Sequence, residues 1–297
     1  MVEEVTIQEP QVRFLPLDGQ PFDLESTLFS GQAFRWRKKD EWYEGVIFGR
    51  IVRVREVEGG IAFATADEGA AESPSRLRDY FSLDIDLGEV YSTLSRDEDL
   101  RESLDRYRGM RILRQDPWET TLSFLCAQNS NVLRITRNVE DMCRSFGRPV
   151  SFGGNTRHTY PTPDALVTAG EQALRDLGLG YRARYIVSAA ERVARGGIDI
   201  MALRDASYDD ALGALMTLEG VGDKVANCIM LFCMDKPQAF PVDTHIRQIL
   251  RERYPRARRV KSSDIRRVRA WAQEHFAPFA GYANHYLFHS RRVQGRS

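Results

Sequence analysis

The sequence predicts an α+β protein, with an N-terminal antiparallel β-sheet domain over residues 1–112 and an all-helical domain over residues 113–297. Short β-branched and aromatic runs divided by glycines fill the first region, as in an antiparallel meander. In the second region, apolar residues recur with a period near 3.6. Because 42% of the 297 residues are hydrophobic, the chain can bury a sizeable core and is not expected to be disordered.

The predicted strands of the first domain are recognised by the glycine turns between them. Three runs are expected to pair as antiparallel strands: Trp42–Phe48, Ile51–Val57 and Ile61–Thr65. A helix is expected over Ser75–Phe81, because the preceding Pro74 suits the first turn of a helix.

The predicted helices of the second domain begin with one that runs from Leu122 through Val139. Gly178 and Gly180 indicate the end of another helix, at Leu174–Leu177. Further helices are expected over Tyr181–Ala194, Tyr208–Leu218, Asp223–Phe232, Thr244–Arg253, Ser263–Phe276 and Gly281–Arg291.

The charge is divided unevenly along a chain whose net charge is zero. Residues 1–110 hold 14 Lys and Arg against 23 Asp and Glu, a net of −9, and residues 111–297 hold 28 against 19, a net of +9. This asymmetry is compatible with ordinary surface variation, but it also fits a polyanion such as nucleic acid meeting the second half.

Several functional classes are not supported by the composition. The four cysteines, none of them in a C-x-x-C motif, form no secreted-type framework, and the five histidines lack metal-ligand spacing. We therefore expect no metal and no cofactor. The first residues resemble no signal peptide, and no apolar run is long enough to span a membrane. An intracellular protein is the expectation.

The most informative segment is Leu218-Glu219-Gly220-Val221-Gly222-Asp223-Lys224-Val225-Ala226, which joins two predicted helices by a tight turn. Gly220 and Gly222 tolerate positive φ and let backbone amides approach a phosphate closely. The second helix then begins with free N–H donors and the positive end of its dipole facing the same anion. Such a hairpin grips a DNA backbone without reading bases. The glycine pair alone fits a plain helix corner equally well.

Lys224 lies in the first turn of that second helix. The positive end of a helix dipole disfavours a simple surface ammonium there and favours the neutral, nucleophilic amine. Only 5 of the 42 basic residues are lysines, so a lysine at this place is not merely the common basic residue of the chain. A solvated lysine is the alternative interpretation.

Asp243 follows in Pro241-Val242-Asp243-Thr244-His245, where another helix begins. Aspartate is a preferred N-cap, which would by itself explain the residue. Capping is compatible with catalysis, because backbone amides hold the carboxylate in place and keep it ionised. Such a group can assist a nucleophilic lysine and stabilise positive charge on a sugar ring.

Together these residues resemble the helix-hairpin-helix DNA glycosylase superfamily with its Gly/Pro/Asp region. Glu219 departs from that pattern by standing where proline is usual. Four further stretches narrow the resemblance to the eukaryotic-type 8-oxoguanine DNA glycosylases, over about residues 22 to 290. They are Ser30-Gly31-Gln32-Ala33-Phe34-Arg35-Trp36, Leu113-Arg114-Gln115-Asp116-Pro117, Leu177-Gly178-Leu179-Gly180-Tyr181-Arg182-Ala183-Arg184-Tyr185 and Asp235-Lys236-Pro237-Gln238-Ala239.

The resemblance implies a glycosylase that flips its target base into a pocket and also cleaves the strand. Lys224 would attack the anomeric carbon, expel the oxidised purine and form a Schiff base, and β-elimination would nick the strand. Asp243 would support the amine and the developing positive charge. Gly220, Gly222 and His245 would contact the phosphate backbone, although His245 fits a helix surface equally well.

The resemblance also assigns the walls of the base pocket. Cys228 and Phe232 share a helical face with Lys224, and Phe288 would stand opposite. Ordinary core packing is the alternative for all three. Gly31 would read the lesion, because a backbone carbonyl accepts the N7 hydrogen of 8-oxoguanine and repels the lone pair of guanine. Asn284 would face the Watson–Crick edge, where the family has a glutamine.

Four residues match the family's contacts with the base left unpaired: Asn129, Arg134, Arg182 and the wedge Tyr181. Arginine only donates hydrogen bonds, and cytosine offers two acceptors where adenine offers one. A preference for 8-oxoguanine opposite cytosine is therefore expected. Phosphate contacts or surface charges are the alternative roles of the two arginines.

Two other functions compete with this interpretation. An alkylated-purine glycosylase of the same superfamily commonly lacks the lysine, and a non-catalytic helix-hairpin-helix module would need neither Lys224 nor Asp243. Superfamily members with an iron–sulfur cluster carry cysteines near the C-terminus, and none lies beyond Cys233. The expected partner is double-stranded DNA that contains an oxidised purine, and no association with a membrane is expected. We expect the protein to be a monomer, in the cytoplasm of a prokaryote or the nucleus of a eukaryote.

Overall fold

The computed structural model describes residues 12–66, 74–258 and 264–294. The strands are β1 (Arg13–Pro16), β2 (Arg37–Lys39), β3 (Trp42–Ile47), β4 (Arg50–Val57), β5 (Gly60–Thr65), β6 (Pro149–Phe152) and β7 (Asn155–His158). The helices are α1 (Leu24–Phe29), α2 (Pro74–Tyr80), α3 (Leu87–Leu94), α4 (Glu98–Arg106), α5 (Pro117–Cys126), α6 (Val132–Phe146), α7 (Pro163–Leu174), α8 (Arg182–Ala194), α9 (Tyr208–Leu215), α10 (Asp223–Cys233), α11 (Thr244–Arg253), α12 (Pro255–Arg258), α13 (Ile265–His275) and α14 (Ala280–Gln294).

The predicted α+β fold class is confirmed: an antiparallel sheet is followed by a helical domain. The sheet has the order β1-β5-β4-β3-β2, with every neighbouring pair antiparallel. The three predicted strands are β3, β4 and β5. The two edge strands were not predicted, because each is only three or four residues long. Apolar side chains of α1 and α2 cover one face of this sheet.

The helical core extends into the first region of the sequence. Buried leucines of α3 and α4, among them Leu87 and Leu104, pack in the same apolar cluster as α10 and α14. Leu113 packs in the cluster beneath the sheet. The division of the chain at residues 112 and 113 stays a prediction.

One predicted helix is wrong: the helix expected from Leu122 through Val139 is two helices. After α5 the chain turns, with Asn129 at φ 46°. The side chain of Asn131 then accepts a hydrogen bond from the Arg134 backbone at 3.0 Å and caps α6. Polar residues that can bond the backbone locally interrupt helices in this way. The break leaves Asn129 exposed at a turn.

The expectation of an all-helical second domain misses a hairpin, β6–β7. Its turn is Gly153-Gly154, and both glycines have positive φ, at 53° and 76°. This glycine pair is the hairpin signal that the sequence carries. The predicted helix over Ser263–Phe276 is observed as α13, and Ser263 lies outside the described residues. The N-terminal residues 1–11, which resemble no signal peptide in sequence, also lie outside the described residues.

Helix α14 connects the two parts of the molecule, and nearly all of its first two and a half turns are buried. The Tyr286 hydroxyl donates to the Met110 carbonyl at 2.9 Å and lies 3.1 Å from the Tyr91 hydroxyl. The same helix places Phe288 and Arg292 beside Gly31 and Asn284 beside Pro241. This placement brings sequence-distant candidates into one region.

Candidate active site

The helix-hairpin-helix turn has the backbone that its glycines allow. Gly220 has φ 80°, and a Cβ there would lie 2.4 Å from Cδ2 of Tyr185, so both backbone and packing require glycine. Gly222 is the exposed N-cap of α10 and has no side chain with which to cap its amides. The first N–H groups of α10 therefore remain available to an anion.

Glu219, which departs from the family pattern, has a partner in the structure. Its carboxylate lies 2.8 Å from the Arg184 guanidinium of α8. Arg184 thereby neutralises the negative charge of Glu219, which would otherwise repel a phosphate bound at the adjacent turn. The sequence did not indicate this compensation, although Arg184 belongs to one of the matching stretches.

Lys224 stands in the first turn of α10, half-buried, with Nζ 5.6 Å from the centre of the Phe124 ring. Phe124 lies on α5, and the sequence did not identify it as a neighbour of the lysine. The ring provides an apolar, electron-rich surface beneath the amine. Asp223 beside it forms an ion pair with Arg269 of α13, which anchors the start of α10.

Asp243 is the N-cap of α11, as predicted. Its Oδ1 accepts a hydrogen bond from the Ile246 backbone at 2.7 Å. Asn284 of α14 donates to the Pro241 carbonyl at 2.9 Å and is 4% exposed. The loop that leads to Asp243 is therefore held from two sides, by its own cap and by α14.

Lys224 and Asp243 both influence the pKa of the buried Cys228 thiol. Burial raises the pKa of the Cys228 thiol, the positive charge and hydrogen bonding of Lys224 oppose that rise, and the Asp243 carboxylate adds to it. The thiol is therefore a neutral wall of the site rather than a thiolate nucleophile. Both charged groups therefore act on the same buried thiol.

The remaining pocket candidates fall on two sides. Phe288 lies against Gly31, with its ring carbon Cε1 3.4 Å from where a Cβ at Gly31 would be, and its ring centre is 6.4 Å from that of the exposed His245. Phe232 stacks on Phe124 at 5.5 Å with its ring nearly parallel. That stack is the core packing weighed as the alternative for Phe232, and its role in the pocket stays a prediction.

The four predicted contacts with the unpaired base form a second cluster. Asn129 donates to the Tyr181 hydroxyl at 3.0 Å, and Arg134 reaches the Gly178 carbonyl at 3.4 Å. Tyr181 is 42% exposed, as a wedge requires. Arg182 is 3% exposed and donates to the carbonyls of Gln128, Asn129 and Leu179. In this arrangement Arg182 supports the turn that carries Asn129.

No metal-binding group is found among the residues described. Across residues 12–66, 74–258 and 264–294, no three His, Cys, Asp or Glu side chains are grouped so that they could hold an ion. All four cysteines are buried and free. In the same ranges, every helix is too short or too polar to cross a lipid bilayer.

Comparison with known families matches almost the whole chain. Residues 14–121 match the N-terminal domain of 8-oxoguanine DNA glycosylase, and residues 122–273 match the HhH-GPD superfamily of base excision DNA repair proteins. An N-glycosylase/DNA lyase of Arabidopsis thaliana is 38% identical over 79% of this chain and 67% of its own length. A probable N-glycosylase/DNA lyase of Methanothermobacter thermautotrophicus is 33% identical over 92% of this chain and 95% of its own.

Solved structures give the same relationship. The 8-oxoguanine glycosylase/lyase of Clostridium acetobutylicum, bound to double-stranded DNA with cytosine opposite 8-oxoguanine, superposes with a TM-score of 0.86 at 30% identity, covering 92% of this chain and 93% of its own. A 3-methyladenine DNA glycosylase from Archaeoglobus fulgidus has a TM-score of 0.77 at 21% identity over 95% of this chain and 98% of its own. The second similarity extends to the fold alone.

Proposed function

The chain belongs to the 8-oxoguanine DNA glycosylase family of the HhH-GPD superfamily, and we propose that Lys224 and Asp243 carry out its chemistry. It is an N-glycosylase/DNA lyase that removes 8-oxoguanine in base excision repair. The observation that carries the residue assignment is the placement of Lys224, which is half-buried in the first turn of α10 with Nζ 5.6 Å from the centre of the Phe124 ring.

The reaction begins with the neutral amine of Lys224. Its lone pair forms a bond to C1′ as the N-glycosidic bond breaks, and the bonding pair leaves with the base. The nitrogen of Lys224, now positively charged, loses a proton, and the departing base takes up a proton. Opening of the sugar ring gives a Schiff base between Lys224 and C1′. Loss of a C2′ proton then expels the 3′ phosphate by β-elimination. The carboxylate of Asp243 stabilises the positive charge that develops on the sugar and on the nitrogen of Lys224 as the new bond forms.

The lesion pocket is proposed to lie between Gly31 and Phe288 on one side and Cys228 and Phe232 on the other. The carbonyl of Gly31 accepts the N7 hydrogen that 8-oxoguanine has and guanine lacks. An unmade buried hydrogen bond costs about 1–3 kcal/mol, which favours the lesion by about fivefold to 150-fold. Asn284 already donates one N–H to Pro241, so contact with the base edge would use its Oδ1 or its second N–H.

The proposed partner is double-stranded DNA that contains the oxidised purine. Gly220, Gly222 and His245 hold the backbone of the lesion strand, the first two through amides at the start of α10. We further propose that the protein acts as a monomer, in the cytoplasm of a prokaryote or the nucleus of a eukaryote, and that its two domains divide at residues 112 and 113.

Borohydride trapping on a set of duplexes tests the proposed substrate. The protein is incubated with duplexes that contain 8-oxoguanine opposite cytosine, 7-methylguanine, uracil or no lesion, and covalent complexes are counted. We expect trapping with 8-oxoguanine, because borohydride reduces the Schiff base between the protein and C1′ to a stable amine. Release of 7-methylguanine without any trapped complex would instead indicate an alkylated-purine glycosylase.

The base opposite the lesion should change the rate. Arg134 and Arg182 offer donors that match the two acceptors of cytosine. To reach the base, Arg182 would exchange its hydrogen bonds with backbone carbonyls for bonds with cytosine. We expect 8-oxoguanine to be released about 10 to 100 times faster opposite cytosine than opposite adenine. Single-turnover rates on the two duplexes measure this preference.

Arg134→Ala should reduce that preference to within about threefold, because it removes one set of donors. Arg137→Ala is the matched control, since Arg137 is a neighbouring exposed arginine of α6 that pairs with Asp141 at 3.6 Å. An unchanged preference in Arg134→Ala would show that this arginine does not read the opposite base.

A further inference from the structure

Arg292 of α14 lies behind the turn that is proposed to read the lesion. Its guanidinium donates through Nη2 to the carbonyl of Phe29, the last residue of α1. Its Nη1 lies 3.1 Å from the position that a Cβ at Gly31 would occupy. The family resemblance singled out Gly31 and Phe288 but not this arginine.

The turn at Gly31 is held firmly on its other side. Gln32 is buried and donates to the carbonyls of Thr27 and Arg111, both at 2.8 Å, and its Oε1 accepts from the Leu113 backbone at 2.8 Å. Gln115 donates to the Gln32 carbonyl at 2.8 Å. Residue 32 is therefore tied to the connecting segment 111–115, and the guanidinium of Arg292 ties residue 29 to α14.

Gly31 lies between these two anchors with φ 93°, a conformation that glycine adopts without strain. The guanidinium of Arg292 and the Phe288 ring border the space where a side chain at residue 31 would begin. The peptide at residue 31 therefore has little room to rotate towards α14. On this side the turn is restrained by the contact of the Phe288 ring with Gly31 and by the hydrogen bond from Arg292 to the Phe29 carbonyl.

Two histidines beside Arg292, His289 and His285, are uncharged near neutral pH. Nη2 also lies 3.5 Å from Nδ1 of His289. Burial, followed by the positive charge of Arg292, lowers the pKa of His289 to about 4, and burial, His289 and Arg292 lower that of His285 to about 3. Near neutral pH both imidazoles are uncharged, so they do not repel the guanidinium from its place against the turn.

We propose that Arg292 is a positioning residue that orients the Gly31 carbonyl and thereby sets the discrimination between 8-oxoguanine and guanine. The proposal rests on the proposed lesion pocket. Without the guanidinium, the 29–31 turn can relax, the hydrogen bond to N7–H weakens and the repulsion of the guanine lone pair also falls. The lyase step at a preformed abasic site has no base to read, so it does not need this orientation.

The test compares Arg292→Met, which keeps the length of the side chain but has no donors, with Arg292→Lys, which keeps the charge without the planar fork. Arg291→Met is the matched control, because Arg291 pairs with Glu252 at 3.0 Å on the same helix. Single-turnover release of 8-oxoguanine should fall about tenfold to a hundredfold in Arg292→Met. Nicking of an abasic site should stay within about twofold.

A second measurement separates orientation from folding. In a Lys224→Gln background, which does not cleave, the ratio of Kd values for guanine and 8-oxoguanine duplexes should fall at least about fivefold with Arg292→Met. The Kd ratio of Arg292→Lys should lie between those of the unsubstituted protein and Arg292→Met. If Arg292→Met is unstable, Arg292→Lys is used instead in both assays. Unchanged base release, or equal losses of base release and abasic-site nicking, would overturn the proposal. Absence of 8-oxoguanine release by the unsubstituted protein would instead contradict the proposed function.

Discussion

Lys224→Gln is expected to abolish both base release and strand nicking, by roughly 10⁴-fold or more, while the affinity for lesion-containing duplex changes less than about threefold. The amide cannot attack C1′ or form a Schiff base, so both steps lose the same nucleophile. It keeps most of the length and the polar character of the side chain above Phe124. Single-turnover rates, borohydride trapping and equilibrium binding measure the three quantities.

Lys39→Gln is the matched control for this prediction. Lys39 is an exposed lysine of β2, at the edge of the sheet. Its variant should be trapped on DNA as efficiently as the unsubstituted protein. A trapped complex that persists in Lys224→Gln would show that another amine is the nucleophile and that the position of Lys224 in the hairpin helix is coincidental.

Asp243→Asn should slow base release by about 10²- to 10⁴-fold while leaving the protein folded. Asparagine caps a helix about as well as aspartate, so the bond from Ile246 survives. The negative charge that supports the amine and the sugar cation is lost. Single-turnover kinetics and the Tm distinguish the two contributions.

Asp264→Asn supplies the matched comparison, because Asp264 caps α13 by accepting from the Arg267 backbone at 3.2 Å. It should change neither the rate nor the Tm appreciably. Asp243→Ala should slow base release as Asp243→Asn does, and it should also lower the free energy of unfolding by about 1 kcal/mol, because alanine cannot cap the helix. If Asp243→Asn retained the full rate, Asp243 would be only a cap.

The two proposed catalytic residues could be chosen from the sequence because their placement depends on neighbours close in the chain. A glycine turn places Lys224 in the first turn of α10, and Asp243 precedes a run that begins a helix. Both locations are observed. Local signals were less effective between α5 and α6, where the apolar period continued across a turn made by polar residues.

The hydrogen-bond partners of Arg182 could not be predicted from the sequence, although the residue itself was singled out by its motif. Its motif predicts a contact with a base, and the structure buries it beneath Tyr181 with its donors on backbone carbonyls. The sequence provides the number of donors but not the partners available within reach. Burial decides those partners, and it is a property of the packed molecule.

The sequence by itself determined the fold class, the glycine turn before α10 and the cap at Asp243, because turns, caps and helical faces depend on residues within about four positions of each other. It also determined the family, through motifs whose residues are contiguous in the chain. Only the tertiary structure decided what stands around them. It brought Arg269 to Asp223 across 46 positions and Arg292 to Phe29 across 263. Such contacts arise from the packing of whole helices, and no local pattern along the chain specifies which side chains that packing brings together.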